Sequence, residues 1–502
     1  MSFDYLIVGN AILGLTTAYR LTQLQPDAEI CITGPATRPG SATTAAGAML
    51  GLFGEVTADA RADKYQKTHF KLAYHAQILW PDFVEELNSQ LEPADHIQIH
   101  PNGTFILLNA QNATQNDAPN YTAIRQALKE YNEPHSEVKP ADIPGLFPAK
   151  HSQTLGGIYI PGERSVDPVS VLNALEKILR KRRQVTYLDA TASKLLTTQQ
   201  NGHRIQGVTL NNGDKQTAKQ VIIAAGTGSQ HLIDTLPVLK GRIPHIMTGE
   251  GTSFSFDQAP LGKHMIEYVL RTPNRAGACS LHVVPNIHNN HALYLGASNM
   301  MHWRHPTPDT SIKSATQLMQ GSLNEISKHL KNAKLLKCNQ GNRPTSIDGY
   351  PLFGASTLVA GLWFLTGTGR DGFQRAPLLS QQIAKKLTGE SNLSETEKQI
   401  SAMLETFTPE RLPLQTHSQE ESVQHIQREI YSALYKNDGL KPDDTHPHFS
   451  KWIMRDIHNL YEQLETDLAI SPVVVLSILR HRFSIDTIKG YLDAAKQAWS
   501  QN

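Results

Sequence analysis

Gly9-Asn10-Ala11-Ile12-Leu13-Gly14 is a G-x-A-x-x-G run, and small residues at that spacing can hold a pyrophosphate. The first glycine permits a sharp turn, the second position lets backbone approach phosphate, and the last lets a helix pack on a strand. The phosphates then face free N–H groups and the positive end of a helix dipole. Ala11 stands at the second position and is still small. Such a site usually ends its second strand in an acidic residue that holds the ribose hydroxyls. Here "AEICITGP" carries Gly34 in that place. Two readings stay open on the turn alone: a dinucleotide site, or a glycine-lined turn that packs helix on strand.

Other residues that could do chemistry are sparse. Twenty-two histidines invite a metal reading, and His288/His291 and His302/His305 form close pairs. Neither pair has acidic or cysteine partners at ligand spacing, so solvated histidines and no metal site are expected. Cys31, Cys279 and Cys338 are far apart and odd in number, which fits a reduced compartment and no disulfide framework.

The elements around the turn follow from periodicity. Tyr5-Leu6-Ile7-Val8 reads as a strand, and Leu15, Ala18 and Leu21 recur behind it at helical spacing. Residues 38–55, "RPGSATTAAGAMLGLFGE", form a small-residue loop on which a large ligand can lie flat. Residues 69–91 read as a helix containing Pro81, and residues 97–109 as a hairpin closed at Asn102-Gly103. Asp167 caps a helix whose first residue is Pro168. Strands follow, one pair turning at Asn212-Gly213, and "VIIAAGTGS" runs a buried-type strand into another small-residue turn. The pattern is mostly β from about 240 to 335, with one helix near 312–330. "LVAG" and "LWFLTG" then lead to "GTGRDGF", a glycine-rich turn that opens a helix. Residues 391–422 are polar and read as a linker or a loose helix. Beyond them come amphipathic stripes: Val423, Ile426, Ile430, Leu434, then Ile453, Ile457, Leu460, Leu464, then Ile485, Ile488, Leu492, Ala495. No catalytic constellation stands among them.

Length and composition bound the rest. A chain of 502 residues implies two or three domains. With 39 % apolar and 19 % charged residues it reads as a globular protein, and a formal net charge of +1 gives no general field for nucleic acid or acidic lipid. No apolar run approaches the length needed to cross a bilayer. A first strand near residue 3 leaves no room for a signal peptide ahead of it, so a cytoplasmic location is expected.

Six segments, taken in order, resemble the FAD-dependent D-amino-acid oxidase superfamily, in particular its glycine-oxidase-like branch. They are "DYLIVGNAILGLTTAYRL", "GSATTAAGAML", "ERSVDPVSVLNAL", "VIIAAGTGS", "HVVPNIHNNHALYLGAS" and "RPTSIDGYPLFG…GLWFLTGTGRDGFQRAP", and they span residues 4 to about 388. The fold expected is an α/β, Rossmann-like FAD-binding domain with an α+β substrate domain built on a mostly antiparallel sheet. An all-α C-terminal region lies outside the resemblance. The expected division places FAD-binding parts at 1–75, 151–238 and 339–390 and substrate parts at 76–150 and 239–338. A linker at 391–422 and a helical region at 423–502 complete it.

The resemblance also implies roles. Gly9, Ala11 and Gly14 would cradle the pyrophosphate, and Thr43, Thr44 and Ala45 would lie against pyrophosphate and isoalloxazine. Ala192 would meet the adenine, and Gly226 would line the nucleotide. Gly369, Asp371, Gly372 and Phe373 match the turn that faces the flavin pyrimidine edge, where a helix N-terminus stabilises the charge of reduced flavin. Arg343 matches the arginine that grips the substrate carboxylate through two parallel bonds. Tyr268 would offer a pocket hydroxyl, Met49 and Glu55 would reach the pocket, and Arg370 is a second group for the substrate. Three departures stand out: Gly34 for the ribose carboxylate, Gly367-Thr368 for the usual Gly-His, and the charged pair Arg370-Asp371. Those two charges could simply pair with each other at the surface. No cysteine or histidine is placed for a flavin bond, so the FAD would be non-covalent.

The implied reaction oxidises a C–N bond of a small amino acid or amine: hydride passes to flavin, the imine hydrolyses, and oxygen takes the electrons as peroxide. One alternative is a dehydrogenase with another electron acceptor. Another is a non-catalytic scaffold, and in either case the C-terminal helices could serve a protein partner or self-association.

Overall fold

The protein is described by a computed structural model over residues 2–58, 63–110, 117–198, 203–275, 279–304, 311–415, 418–438, 448–466, 468–480 and 482–500. Leu6 and Ile7 point to opposite faces of the strand Ser2–Val8 and both are fully buried, so this strand belongs inside a sheet covered on two sides. It lies in a nine-stranded sheet whose order is Leu352–Ala355, Leu362–Thr366, Lys215–Ile223, Ser2–Val8, Ile30–Thr33, Val185–Leu188. From Leu362–Thr366 to Val185–Leu188 every neighbour is parallel. The helices Ile12–Leu24, Lys64–Asn88, Pro168–Arg180 and Ala376–Thr388 pack on one face. The strands Ala192–Thr198 and His203–Leu210 and the helix Gly228–Asp234 cover the other.

A second nine-stranded sheet runs Met300–His302, Ile246–Asp257, Ala292–Gly296, His282–Pro285, Val269–Arg271, Thr104–Asn109, Thr154–Ile160, Ser136–Val138. The long strand Lys334–Ser346 pairs with Ile246–Asp257 on its free side. The sheet is antiparallel except where Val269–Arg271 meets Thr104–Asn109. The two-sheet architecture is the expected α/β plus α+β arrangement.

Several boundaries differ from the expectation, each for a packing reason. The helix Lys64–Asn88 is continuous through residue 75, and its Leu72, Ala76, Trp80 and Phe83 all enter the core of the first sheet. The strand Thr154–Ile160 pairs in the second sheet, and Lys334–Ser346 stays in it as far as Ser346. Sheet membership therefore changes near residues 161–167 and 347–351 rather than at 151 and 339. The Asn102-Gly103 turn closes no hairpin: Ile99 bridges Val166 while Thr104–Asn109 pairs with Thr154–Ile160. Asn212-Gly213 does close one, with Gly213 at φ +89°. Asp167 caps its helix as expected, accepting from Val169 N and Ser170 N.

Residues 391–422, expected as a linker or a loose helix, are partly helical and packed. They contain the helix Glu395–Leu404, whose Ile400 and Leu404, with Phe407 beyond, are buried in the first core. The helices Gln419–Asp438, Phe449–Leu464, Pro472–Leu479 and Ile485–Ser500 form their own apolar core, and that core includes Met247, Met301 and Ile347 of the main body. Leu434 and His305 fall outside the described side chains. No described helix is long and apolar enough to cross a membrane.

Candidate active site

The C-terminal ends of four neighbouring parallel strands open on one cavity of about 510 Å³. Gly9 to Leu13 follow the first strand, Gly34 the second, Ala224 to Gly228 the strand Lys215–Ile223, and Thr368 to Arg375 the strand Leu362–Thr366. Ligands of open parallel sheets bind at that end. The second sheet closes the opposite wall with Gly251, His282, Tyr294, Asn342 and Arg343.

The turn after Ser2–Val8 is shaped for a phosphate. Gly9 sits at φ +123°, and a Cβ there would collide with Ala224 O. A Cβ on Gly14 would collide with Gly9 O, so Gly14 sets the crossing of helix and turn without lining the cavity itself. Ala11 is the N-cap of Ile12–Leu24, with no side-chain cap and no acid in the first turn, so the helix N–H groups stay free for an anion. Ser41 Oγ and Asn342 Oδ1 are buried in the cavity wall with no hydrogen-bond partner among the described residues. Glycine cradle, uncapped helix and unsatisfied wall atoms together fit a large polar ligand such as FAD.

Residues 4–386 match the family of FAD-dependent oxidoreductases designated DAO. The chain belongs to that family. Its cofactor is therefore FAD. A glycine oxidase from Geobacillus kaustophilus shares the fold with a TM-score of 0.64 at 19 % identity, over 82 % of this chain and 99 % of that one. An iminodiacetate oxidase from Chelativorans sp. BNC1 gives 0.64 at 18 % identity, over 81 % and 99 %. In sequence, a tRNA 5-methylaminomethyl-2-thiouridine biosynthesis bifunctional protein from Idiomarina loihiensis is 26 % identical over 217 residues, which are 43 % of this chain and 32 % of that protein. The match thus spans about a third of that relative's length.

Within this DAO oxidoreductase, Ala11, Thr43, Ala45, Ala192, Gly226, Gly369, Asp371, Gly372 and Phe373 all line the cavity, as do Met49 and Glu55. Thr44 does not; its hydroxyl turns back to Ser41 O at 3.2 Å. Tyr268 does not either. It packs against Phe105 and Tyr159 in the core of the second sheet, with ring centroids 5.2 and 6.1 Å away. The turn at 369–373 is held from both sides: Gly369 N donates to Pro344 O at 2.7 Å, and Phe373 stacks on Trp80 at 5.3 Å.

Gly34 has a local explanation. Its Cβ would stand 2.7 Å from Asn10 Oδ1, and Asn10 Nδ2 donates to Pro35 O at 3.0 Å. The carboxamide of Asn10 fills the space that a longer side chain at 34 would need.

Arg370 and Asp371 do not pair with each other. Asp371 binds Arg375 at 2.8 Å, one helical turn on, while Arg370 faces Glu55 at 3.7 Å. Glu55 itself takes a 2.7 Å bond from Arg271 Nη1 and another of 2.7 Å from Asn274 Nδ2. Burial opposes the charge on Glu55, but Arg271 and Arg370 overcome it and hold the carboxyl well below its usual range. Glu163, buried behind the loop, accepts from the backbone N–H of Leu52, Phe53 and Gly54 and so fixes the approach to Glu55. Burial raises the pKa of Glu163, against the pull of Arg271 and those N–H groups.

Arg343 stands on Lys334–Ser346 opposite Gly249. Its Nη1 donates to Ser298 O at 2.9 Å and lies 3.4 Å from Asn299 Oδ1, both neutral. Gly251 leaves the space its guanidinium occupies; a Cβ there would collide with it. The other wall cations have carboxylates: Arg38 has Glu176, Arg375 has Asp371, and Arg370 has a distant share of Glu55. Among the described residues of the wall, Arg343 is thus the guanidinium with neutral partners.

Sequence reasoning missed His282, Tyr294, Arg271 and Asn274. Burial, seconded by Arg271, pushes His282 down to about 3, so the imidazole is neutral. Its Nδ1 lies 3.0 Å from Ser280 O and its ring stacks on Tyr294 at 5.7 Å. Tyr294 donates to Ala45 O at 3.0 Å, which ties the small-residue loop to the second sheet. A signal did exist: "SLHVVP" and "RTPNR" put polar residues at inward positions of apolar β segments. Among the described residues no group of three potential metal ligands gathers.

Proposed function

We propose that the protein oxidises the C–N bond of a small amino acid. The observation that carries this reading is Arg343, an uncompensated planar fork in a partly dry wall, which a substrate carboxylate would neutralise. Glycine and iminodiacetate, the compounds named for two proteins of like fold, each carry a carboxylate on the carbon next to an amine. Gly9, Ala11 and the helix behind them would hold the pyrophosphate, and residues 369–373 the flavin edge. Bound FAD would supply the acceptor for the hydride of the α-carbon and pass the electrons on to oxygen. The protein supplies position: Arg343 fixes the carboxylate, Gly251 keeps the fork in place, and neutral His282 adds no competing charge. Product imine, released to water, hydrolyses to the keto acid or aldehyde.

The test is anaerobic mixing with glycine, sarcosine and D-alanine, followed by the loss of visible flavin absorbance, then peroxide yield in air. Arg343→Ala should lower kcat/KM by about 30- to several-thousand-fold, or 2–5 kcal/mol, with the flavin spectrum retained. Arg343→Lys keeps the charge, loses the fork, and should recover only part. Full activity in Arg343→Ala would sink the reading.

A further inference from the structure

Arg370 is a second guanidinium of the cavity wall with no tightly bound carboxylate among the described residues. Its Nη2 stands 3.7 Å from Glu55 Oε2, its Nη1 3.4 Å from Asn274 Oδ1, and 37 % of the side chain is open. Glu55 is committed elsewhere. Both its oxygens are taken at 2.7 Å, by Arg271 and by Asn274, and Arg271 is 1 % exposed. A guanidinium that water cannot reach needs a full carboxylate beside it. Asp371 is held by Arg375, and Glu163 spends its oxygens on backbone N–H groups. Arg370 and Arg343 also face one space. Both line the cavity with Cys279 and Tyr294, and Gly369 N, just before Arg370, donates at 2.7 Å to the carbonyl of Pro344, just after Arg343. One carboxylate can satisfy one fork by two parallel bonds; the second fork asks for another.

We propose that the substrate is a dicarboxylic amine, with one carboxylate on Arg343, the other on Arg370, and the reacting C–N bond between them. The inference rests on the amine-oxidation reading above and names its substrate class.

Two measurements on the FAD-loaded protein test it. The first is the perturbation of the visible flavin spectrum by unreactive acids: acetate against malonate and succinate. Dicarboxylates should bind at least about thirtyfold more tightly than acetate, and in Arg370→Met that ratio should collapse to near one. The second is kcat/KM for glycine, sarcosine and D-alanine against iminodiacetate and D-aspartate. A dicarboxylic amine should lead by a similar factor. Equal binding of acetate and the dicarboxylates, or a ratio that survives Arg370→Met, overturns the proposal. Should Arg370→Met not bind FAD, Arg370→Lys replaces it and should show a reduced ratio. Failure of every amine to reduce the flavin would strike the amine-oxidation reading instead, while the acid series still decides whether two carboxylates are held.

Discussion

The Arg343 guanidinium owes its position to two small neighbours as much as to its own partners. Gly249 lies opposite it on the adjacent strand, and Gly251 supplies the hollow in which the guanidinium rests. Gly251→Ala should therefore push the fork aside without touching the phosphate cradle. We expect kcat/KM for the substrate to fall by roughly ten- to a hundredfold, chiefly through KM, at unchanged FAD affinity, since a 1 Å misplacement is costly at a bidentate site. Steady-state kinetics with FAD titration checks both halves. At the other end of the cavity, Asn10→Ala removes a buried carboxamide from beside Gly34, the position at which a ribose carboxylate would be expected. FAD affinity should drop by about five- to thirtyfold, or 1–2 kcal/mol, measured by fluorescence titration of the apoprotein. Both ends were partly legible. The glycine spacing of "GNAILG" pointed to the turn because that chemistry is local in sequence, whereas Arg343 was singled out only through the resemblance of "RPTSIDGYPLFG". Tyr268 was misplaced because it precedes the strand Val269–Arg271 and its ring is placed by contacts with Phe105 and Tyr159, which are distant in sequence. Arg271 and Asn274 meet Glu55 only because residues 216 and 219 apart in the chain converge.

At the scale of elements, the segment after the family's matched span has a structural duty. Ser394 and Glu397 form a capping box, with Ser394 N donating to Glu397 Oε2 at 2.9 Å, and the helix they start buries Ile400 and Leu404. "SETE" carried that signal, but the polar composition around it read as a linker or a loose helix. A few residues on, Arg411 closes on Asp348 with bonds of 3.1 Å from Nε and Nη2, and the Asp348 side chain is wholly buried. Asp348 also takes Ser346 Oγ and the backbone N–H of Tyr350 and Leu414. It thus ties this segment to the loop that follows Arg343. Removing Arg411 strands a buried carboxylate, which costs about 3–5 kcal/mol. Arg411→Ala should lower the urea midpoint accordingly, and a chain ending at residue 394 should fail to hold FAD. If that short chain bound FAD normally, residues 395–415 would be dispensable after all.

At the scale of the whole molecule, the helical region is fastened rather than tethered, and protons report the fastening. Helix Ile485–Ser500 approaches so closely that a Cβ on Gly241 would collide with Ala494 O. Its Tyr491 lies beside the stack of His245 on Trp303, whose centroids are 3.7 Å apart. Burial holds His245 down to about 4, as it holds His282 to about 3. Each imidazole has a folded pKa below its unfolded value of about 6.5, so below that pH the unfolded chain binds more protons. Their contribution is complete above about 6.5 and is lost as pH falls through the window to about 4, by roughly 1 kcal/mol per pH unit for each. Urea midpoints at pH 7.5, 6.0 and 5.0 should therefore decline steadily, and His282→Asn should flatten the decline. A chain ending at residue 416 keeps Arg411 and His282 but uncovers Met247, Met301, Ile347 and His245. It should still bind FAD, melt lower, and show a shallower loss of stability in acid, because His245 regains water and titrates near its ordinary value. An unchanged slope would mean that the main body alone buries His245. Loss of FAD in that chain would make the helices part of the folding unit of the cofactor site.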